Sequence, residues 1–412
     1  VADADGGLVA ILQVTSGVLP DGTEVEGGDN TDPIPVVTRW TGTTMRWAAP
    51  LPRWAQLDAL QASANGGVLV VLSPPRGRTL ELPETEGGAP QPLADGVRAV
   101  VHLAADDGRL LRAPRFAMPA HFTPRAHAVT SAGDLLSFGY SFNPRVGGGD
   151  PGESAIPLDH ELLLRHRPDG SLDVLHQRPE TRGGSDALLS VHPGGRMLMI
   201  REEGGTAFWQ AFGVDASPAA GQEGTLALAG RRVIELRAVP VADGWLLAAT
   251  GGGAGAETDR PVLDGREALM VVELDSAGSL RRIVELPMEP GTGSGMVMGL
   301  TKLPDGRIAA AVRRGTAGWV EALLLEGSSA LNMGFVSTQT AMQEGFVTAA
   351  LVASPDGTLT WAGRPWEQAM VLRPFLLRGT FVARFDPALW DMMAERMPSQ
   401  ADYFFMRQAP LR

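Results

Sequence analysis

Seven histidines offer the chain's groups for proton transfer near neutral pH: His102, His121, His127, His160, His166, His176 and His192. Arg125 and His127 begin one apolar run of strand length, and Asp186 precedes the matching run of the next unit. A guanidinium, an imidazole and a carboxylate at adjacent strand starts are candidates for a hydrolase or lyase, with His127 as general base or ligand. The alternative for His127 is a hydrogen-bonded residue of a channel wall. His160 and His166 share a strand face but stand six residues apart, about 20 Å, too far for one metal ion. Gly291-Thr292-Gly293-Ser294-Gly295 mimics a nucleophile elbow, yet it joins two strands instead of opening a helix. No Walker loop and no dinucleotide fingerprint occur. Cysteine is absent, which excludes disulfides, thiolate zinc sites and thiol catalysis.

Carboxylates form the second chemical group. Four long segments, Gly17–Pro35, Pro74–Asp95, Asn143–Asp159 and Gly251–Glu267, hold sixteen acidic and five basic residues. Their net charge of −11 is nearly that of the whole chain, −12. Unpaired carboxylates are costly to bury, so these segments face water. Glu24, Glu26, Asp29 and Asp32 form the clearest run, with Asp150 and Glu153 in a second segment. One reading is a rim that captures another protein or a cationic ligand by steering; the other is a solvated surface that maintains solubility. Hard oxygen ligands at Asp29, Asp32, Asp150 and Glu153 suit calcium, although neither segment has EF-hand spacing. Trp47, Trp54 and Trp366 lie towards the same segments, where an indole stacks on a sugar or clasps a cation. A calcium-dependent carbohydrate binder is thus a further alternative.

These residues must be held by a scaffold, and its signature is an internal repeat. Gly-centred turns between apolar runs fall at Gly6, Gly66, Gly133, Gly195, Gly244, Gly306 and Gly357, about 58 residues apart on average. A second series alternates with them: Gly42, Gly108, Gly170, the longer stretch Asp215–Gly224, Gly278, Gly327 and Asp386. Leu303-Pro304-Asp305-Gly306 and Arg167-Pro168-Asp169-Gly170 show the turn chemistry, with Pro setting φ and Gly accepting its positive value. Seven units of two hairpins imply 28 strands. Within a unit the first three strands are apolar and the fourth is more polar, as in Leu280-Arg281-Arg282-Ile283-Val284-Glu285. A sheet sandwiched over three strands and wet on its fourth is a propeller blade. The expectation is an all-β fold: a seven-bladed β-propeller of four-stranded antiparallel blades, in one domain spanning 1–412. Its blades run approximately 1–50, 51–116, 117–179, 180–230, 231–289, 290–339 and 340–412. A short C-terminal helix is expected at Pro387–Met397, followed by an apolar tail, Tyr403–Met406, that closes the ring beside the N-terminus.

Pro355-Asp356-Gly357-Thr358-Leu359-Thr360-Trp361-Ala362-Gly363 and Arg165-His166-Arg167-Pro168-Asp169-Gly170-Ser171-Leu172-Asp173 together resemble the bacterial delta-60 repeats. The resemblance covers roughly 300 residues and departs from the pattern at Val174-Leu175-His176. It implies exported, propeller-like repeats of bacterial envelopes and transfers no catalytic residue. In a blade, the tight turns share one rim and the long segments the other, so one face is trimmed and the opposite face elaborated. Composition agrees with a folded, water-compatible chain: 44% hydrophobic, 20% charged, and no apolar stretch long enough to cross a membrane as a helix. The acidic balance disfavours nucleic acid and anionic membrane surfaces. The opening Val1-Ala2-Asp3-Ala4-Asp5-Gly6 is neither an initiator Met nor a signal peptide. With the missing cysteine, it leads to the expectation of an extracytoplasmic protein: periplasmic, cell-surface or secreted. The function expected is therefore a non-enzymatic binding or scaffold propeller that engages its partner through the acidic, loop-rich face.

Overall fold

A computed structural model describes residues 7–385, apart from 15, 28–33, 42–43, 64–65, 143–155, 180–186, 193, 204–205, 215–217, 228–230, 254–267, 288–295, 315–318, 327–328, 337–344, 354–356, 358 and 367–380. The described residues are all-β, without an α-helix, and form antiparallel sheets arranged as a β-propeller. An N-terminal sheet of three strands comprises Leu8–Val14, Ile34–Thr41 and Thr44–Pro50. Blade 1 runs Gln56–Ala62, Val68–Ser73 and Val97–Leu103, with an outer edge split into Leu110–Arg112 and Arg115–Ala117. Blade 2 contains Phe122–Val129, Leu135–Ser141, His160–His166 and Leu172–Pro179. Blade 3 contains Ala187–Val191, Met197–Glu203, Thr206–Phe212 and Pro218–Ala227. Blade 4 contains Arg231–Val241, Gly244–Gly253, Ala268–Asp275 and Leu280–Pro287. Blade 5 contains Met296–Lys302, Ile308–Arg314, Trp319–Glu326 and Ser329–Val336. Three strands of blade 6 are described, Gly345–Ala353, Leu359–Trp366 and Phe381–Phe385.

The expected seven complete blades are corrected to six that open with an innermost strand of their own. Register explains the difference. Bulges interrupt the first-to-second strand pairs of blades 1, 2, 4, 5 and 6, whereas second-to-third pairs run without a shift. In the N-terminal sheet, Leu8–Val14 meets Ile34–Thr41 without a shift, and the bulge comes at Arg39/Trp40 in the next pair. That sheet therefore begins at the position of a second strand, and no innermost strand belongs to it among the described residues. It still packs into the ring. Val9, Val37 and Trp47 join Val68 and Val70 of blade 1, while Leu8, Leu12 and Trp40 enclose Val352 of blade 6. The expected helix Pro387–Met397 and the closing tail lie outside the described residues.

The tight turns follow the sequence. At Leu303–Arg307 the Gly306 amide donates to Leu303 O at 2.9 Å and the Leu303 amide to Arg307 O at 2.8 Å. Gly306 has φ +87°, and the Asp305 carboxylate accepts from the Arg307 amide at 3.0 Å. The same pattern recurs at Arg167–Ser171, where Asp169 accepts from Ser171 at 2.8 Å. Outermost strands are wetter, as expected: Leu172–Pro179 contains no fully buried residue, and Leu280 and Ile283 are exposed.

Candidate functional site

The opposite face carries ordered structure on two of its long segments. Gly17–Val18 pairs with Glu24–Val25, and Leu80–Pro83 pairs with Pro90–Leu93. Arg115 braces the second hairpin, donating from its guanidinium to the carbonyls of Leu82, Gln91 and Pro92. Its buried base, Leu80, Leu82 and Leu93, joins the apolar core of blade 1. Glu24 and Glu26 are exposed on the first hairpin. Asp29, Asp32, Asp150, Glu153 and Asp186 lie outside the described residues. Trp366 ends the second strand of blade 6.

Innermost strands neighbour one another around the propeller axis, and bulges set what they present there. The pairing skips Asp58 in blade 1 and Arg125 in blade 2, so these two are the extra residues of equivalent bulges. A bulge re-aims its side chain and increases the local twist. Opposite the second bulge sits Gly139, where a Cβ would come within 2.1 Å of the Thr123 carbonyl. Only glycine permits that approach. Arg125 is exposed; its guanidinium lies 4.9 Å from the Tyr140 ring centre and donates to the Tyr140 hydroxyl. Beside this pair, His121 takes the left-handed φ of 64° and meets Phe142 edge to face at 5.5 Å.

His127 lies in the wall behind Arg125, 7% exposed. Its Nδ1 is 3.0 Å from Ser137 Oγ, and its Nε2 is 3.8 Å from Asp58 Oδ2. Asp58 takes Arg98 Nε at 2.6 Å and the Ser73 hydroxyl at 3.1 Å. Burial pushes the Asp58 carboxyl above its ordinary value, against the pull of Arg98. Burial also holds the His127 imidazole down at about 3, reinforced by Arg98 and by His166. His166, buried on the third strand, is held at about 4 by the same cause.

Ser137, His127 and Asp58 have the residue types of a nucleophile–base–carboxylate relay. The geometry does not supply its chemistry, because Ser137 is fully buried and the 3.8 Å separation exceeds a hydrogen bond. This array instead joins blade 1 to blade 2. Thus Arg125 and His127, two apart on one strand, occupy different environments: one meets solvent and the other is a hydrogen-bonded wall residue. Sequence reasoning missed Asp58, Arg98, Ser137 and Tyr140. Ser137 is the cross-strand partner of His127, bulges re-aim Asp58 and Arg125, and stacking of the two sheets brings in Arg98; no residue spacing announces these contacts.

The tryptophans divide likewise. Trp47, expected near the loop face, is buried; its ring covers Gly108, and its Nε1–H donates to Ala105 O at 2.9 Å. Trp54 is 40% exposed with φ 66°, and the Arg53 and Arg78 guanidinium carbons lie 4.9 and 4.7 Å from its ring centre. The cations it clasps are the protein's own. Among the described residues no group of three or more His, Asp or Glu is placed to hold a metal ion. No helix of the described residues is long and apolar enough to cross a membrane.

No protein-family model matches the chain, and no curated protein matches it. Solved structures similar to it include a putative 6-phosphogluconolactonase of Bacteroides fragilis, with 14% identity, a TM-score of 0.43, and coverage of 90% of this chain and 93% of that one. The hydrazine synthase of Kuenenia stuttgartiensis shows 12% identity and a TM-score of 0.44 over 85% of this chain and 94% of that chain. A polysaccharide lyase of the ulvan lyase family shows 10% identity and a TM-score of 0.43 over 80% and 81%. Similarity at this level assigns no activity to the present chain.

Proposed function

We propose that this propeller is a binding protein of the bacterial envelope or exterior that engages another protein or a cationic ligand through its loop-bearing face, without catalysis. One observation carries the reading: the two faces are built differently. One rim is closed by short Gly-centred turns, while the other presents hairpins anchored to the core, with Glu24 and Glu26 exposed on one of them. Anchored loops offer a preorganised surface, and clustered carboxylates steer cations to it. Calcium held by Asp29, Asp32, Asp150 and Glu153 is part of this proposal, as is an extracytoplasmic location.

The test compares neutral variants of the two faces. Glu24, Glu26, Asp29 and Asp32 changed to Gln or Asn should reduce partner capture and its salt dependence. A matched variant with Asn at Asp106, Asp107, Asp169 and Asp305 on the turn face should retain both. Equal loss in the two variants would reduce the effect to net charge and remove the acidic rim from the reading. The second reading is a hydrolase or lyase at the inner-strand mouth, and the exposed Arg125 beside Tyr140 favours it. Turnover of any substrate that survives Arg125→Gln unchanged excludes that role for Arg125.

A further inference from the structure

The inner wall of the propeller has a place for one more strand. Innermost strands contact one another from Gln56–Ala62 of blade 1 round to Gly345–Ala353 of blade 6. No comparable contact joins Gly345–Ala353 to Gln56–Ala62 among the described residues. The N-terminal sheet stands between those two blades, and Leu8–Val14 is its axis-side edge, lying against Gly345–Ala353. Its apolar residues are less covered than those of a second strand elsewhere. Val68–Ser73 of blade 1 is buried at every position, whereas Ala10, Ile11 and Val14 are partly exposed. A sheet edge that ends in apolar residues is a template for a further strand.

Strand spacing names the segment that fits this place. From the end of a third strand to the start of the next innermost strand the steps are regular in blades 1 to 5. Leu103 to Phe122 is 19 residues, His166 to Ala187 is 21, Phe212 to Arg231 is 19, Asp275 to Met296 is 21 and Glu326 to Gly345 is 19. The step out of the N-terminal sheet, Thr41 to Gln56, is 15, since that sheet turns tightly from Thr41 to Thr44. Counted from Phe385, the end of the third strand of blade 6, the regular step falls at residues 404–406. The apolar tail expected from the sequence lies there, with Phe404, Phe405 and Met406. Residues 404–412 number nine, and the described innermost strands run from five to eleven.

We propose that residues 404–412 are the innermost strand of the N-terminal sheet, antiparallel to Leu8–Val14, and that they close the ring between blades 6 and 1. The gain is twofold. A ladder of backbone hydrogen bonds forms along Leu8–Val14, and the partly exposed Ala10, Ile11 and Val14 are withdrawn from water. In a repeat array each unit contacts only its neighbours, so a strand contributed from beyond blade 6 ties the last sheet to the first. Register follows from the other blades. There the first residue of an innermost strand meets the end of the second strand, as in Gln56 with Ser73, Phe122 with Ser141 and Gly345 with Trp366. Residues 404–406 then face Val14, and Ala10 faces residues 408–410. This inference is independent of the loop-face reading.

Disulfide scanning of the full chain tests the proposal. The chain has no cysteine, so each paired substitution gives a protein with two thiols only. Ala10→Cys is combined in turn with a cysteine at each position from 404 to 411, and oxidation is followed by non-reducing electrophoresis and intact mass. Facing residues on neighbouring strands lie within disulfide reach. Cross-linking should be intramolecular and peak within residues 408–410. It should run at least about tenfold faster than with Val174→Cys, an exposed site on the outermost strand of blade 2, as the fixed thiol. Hydrogen exchange of the unaltered protein gives a readout that no substitution can disturb. The alternate amides of Leu8–Val14 that point away from Ile34–Thr41 should be protected at least about tenfold relative to free peptide. Exchange of those amides at the free-peptide rate overturns the proposal. So does a scan in which Ala10→Cys reacts no faster than Val174→Cys, and so does cross-linking confined to dimers, which would seat the segment of a second copy on this edge.

Discussion

Two inter-blade joints hold neighbouring sheets together with different interiors. Between blades 3 and 4 the wall is apolar: Leu198, Ile200, Trp209 and Ala211 meet Trp245, Leu247, Val272 and Leu274. Its directional links lie at the turn rim: the Trp209 Nε1–H donates to Gly278 O at 3.1 Å, Arg196 donates to Ser276 O at 2.8 Å, and His192 Nε2 lies 2.9 Å from Val241 O. Between blades 1 and 2, an apolar patch around Val71, Phe116 and Leu135 gives way to Asp58, Arg98, His127, Ser137 and His166. The Gln61 side chain extends that joint by bonding both the amide and the carbonyl of Val129, at 3.1 and 2.9 Å. Apolar contact is non-directional and tolerates sliding, whereas a set of paired polar groups admits one register. The two joints therefore fail in different ways, and that difference is measurable.

The largest effect is expected at the apolar joint. Trp245 is fully buried, and Trp245→Ala should cost about 4 kcal/mol in chemical denaturation, from lost transfer energy plus the cavity left behind. A cost below about 1 kcal/mol would show that the joint collapses to fill the space.

The polar joint should respond to removal of one partner. Asp58→Ala strands the Arg98 guanidinium, whose Nε lies 2.6 Å from the lost oxygen, in a largely buried position. Breaking one side of such a pair costs about 3 kcal/mol. Replacing Asp58 and Arg98 together by apolar residues should cost less than Asp58→Ala alone, since no charge is then left unpaired. If the double variant is the less stable of the two, the array contributes net stability to the joint instead of specifying its register.

What could be read from the sequence divides along the same line. The turns were legible because Gly-centred turns at regular spacing between apolar runs have one local use, and Gly133, Gly170, Gly195, Gly278 and Gly306 all adopt positive φ. The strands of blade 2 were legible too, because apolar runs such as His160–His166 and polar ones such as Leu172–Pro179 follow directly from burial. The blade count was not. It depends on which strand the N-terminal sheet lacks, and the apolar pattern of Leu8–Val14 suits a first or a second strand equally. The partners of Arg125 and His127 were hidden because Asp58, Arg98 and Tyr140 reach them through bulges and sheet stacking. Long-range juxtaposition leaves no local trace. Trp47 shows the limit plainly: its position near a long segment suggested exposure, but Gly108 of the next sheet provides the flat surface that buries it.

The smallest effect isolates the polar joint by titration. His127 and His166 are neutral in the fold, held at about 3 and about 4, and both return to an ordinary value near 6.5 on unfolding. Above pH 6.5 neither state binds the proton, and their contribution to stability is fully present. As pH falls the unfolded chain takes up protons first, so stability is lost progressively down to the folded values. At pH 5 the loss should be about 2 kcal/mol for His127, with a similar share from His166. His102, held at about 4 on the third strand of blade 1, adds to the same background. Asp58 works in the opposite sense at the acid end, because its raised carboxyl takes up a proton in the fold before it does in the unfolded chain. His127→Gln retains a hydrogen-bonding side chain for Ser137 and removes one titrating ring. It should flatten the fall in stability between pH 6.5 and pH 5 by His127's share of about 2 kcal/mol, leaving the apolar joint untouched. An unchanged pH profile would mean that the ring is already solvated, and the contrast between the two joints would then rest on geometry alone.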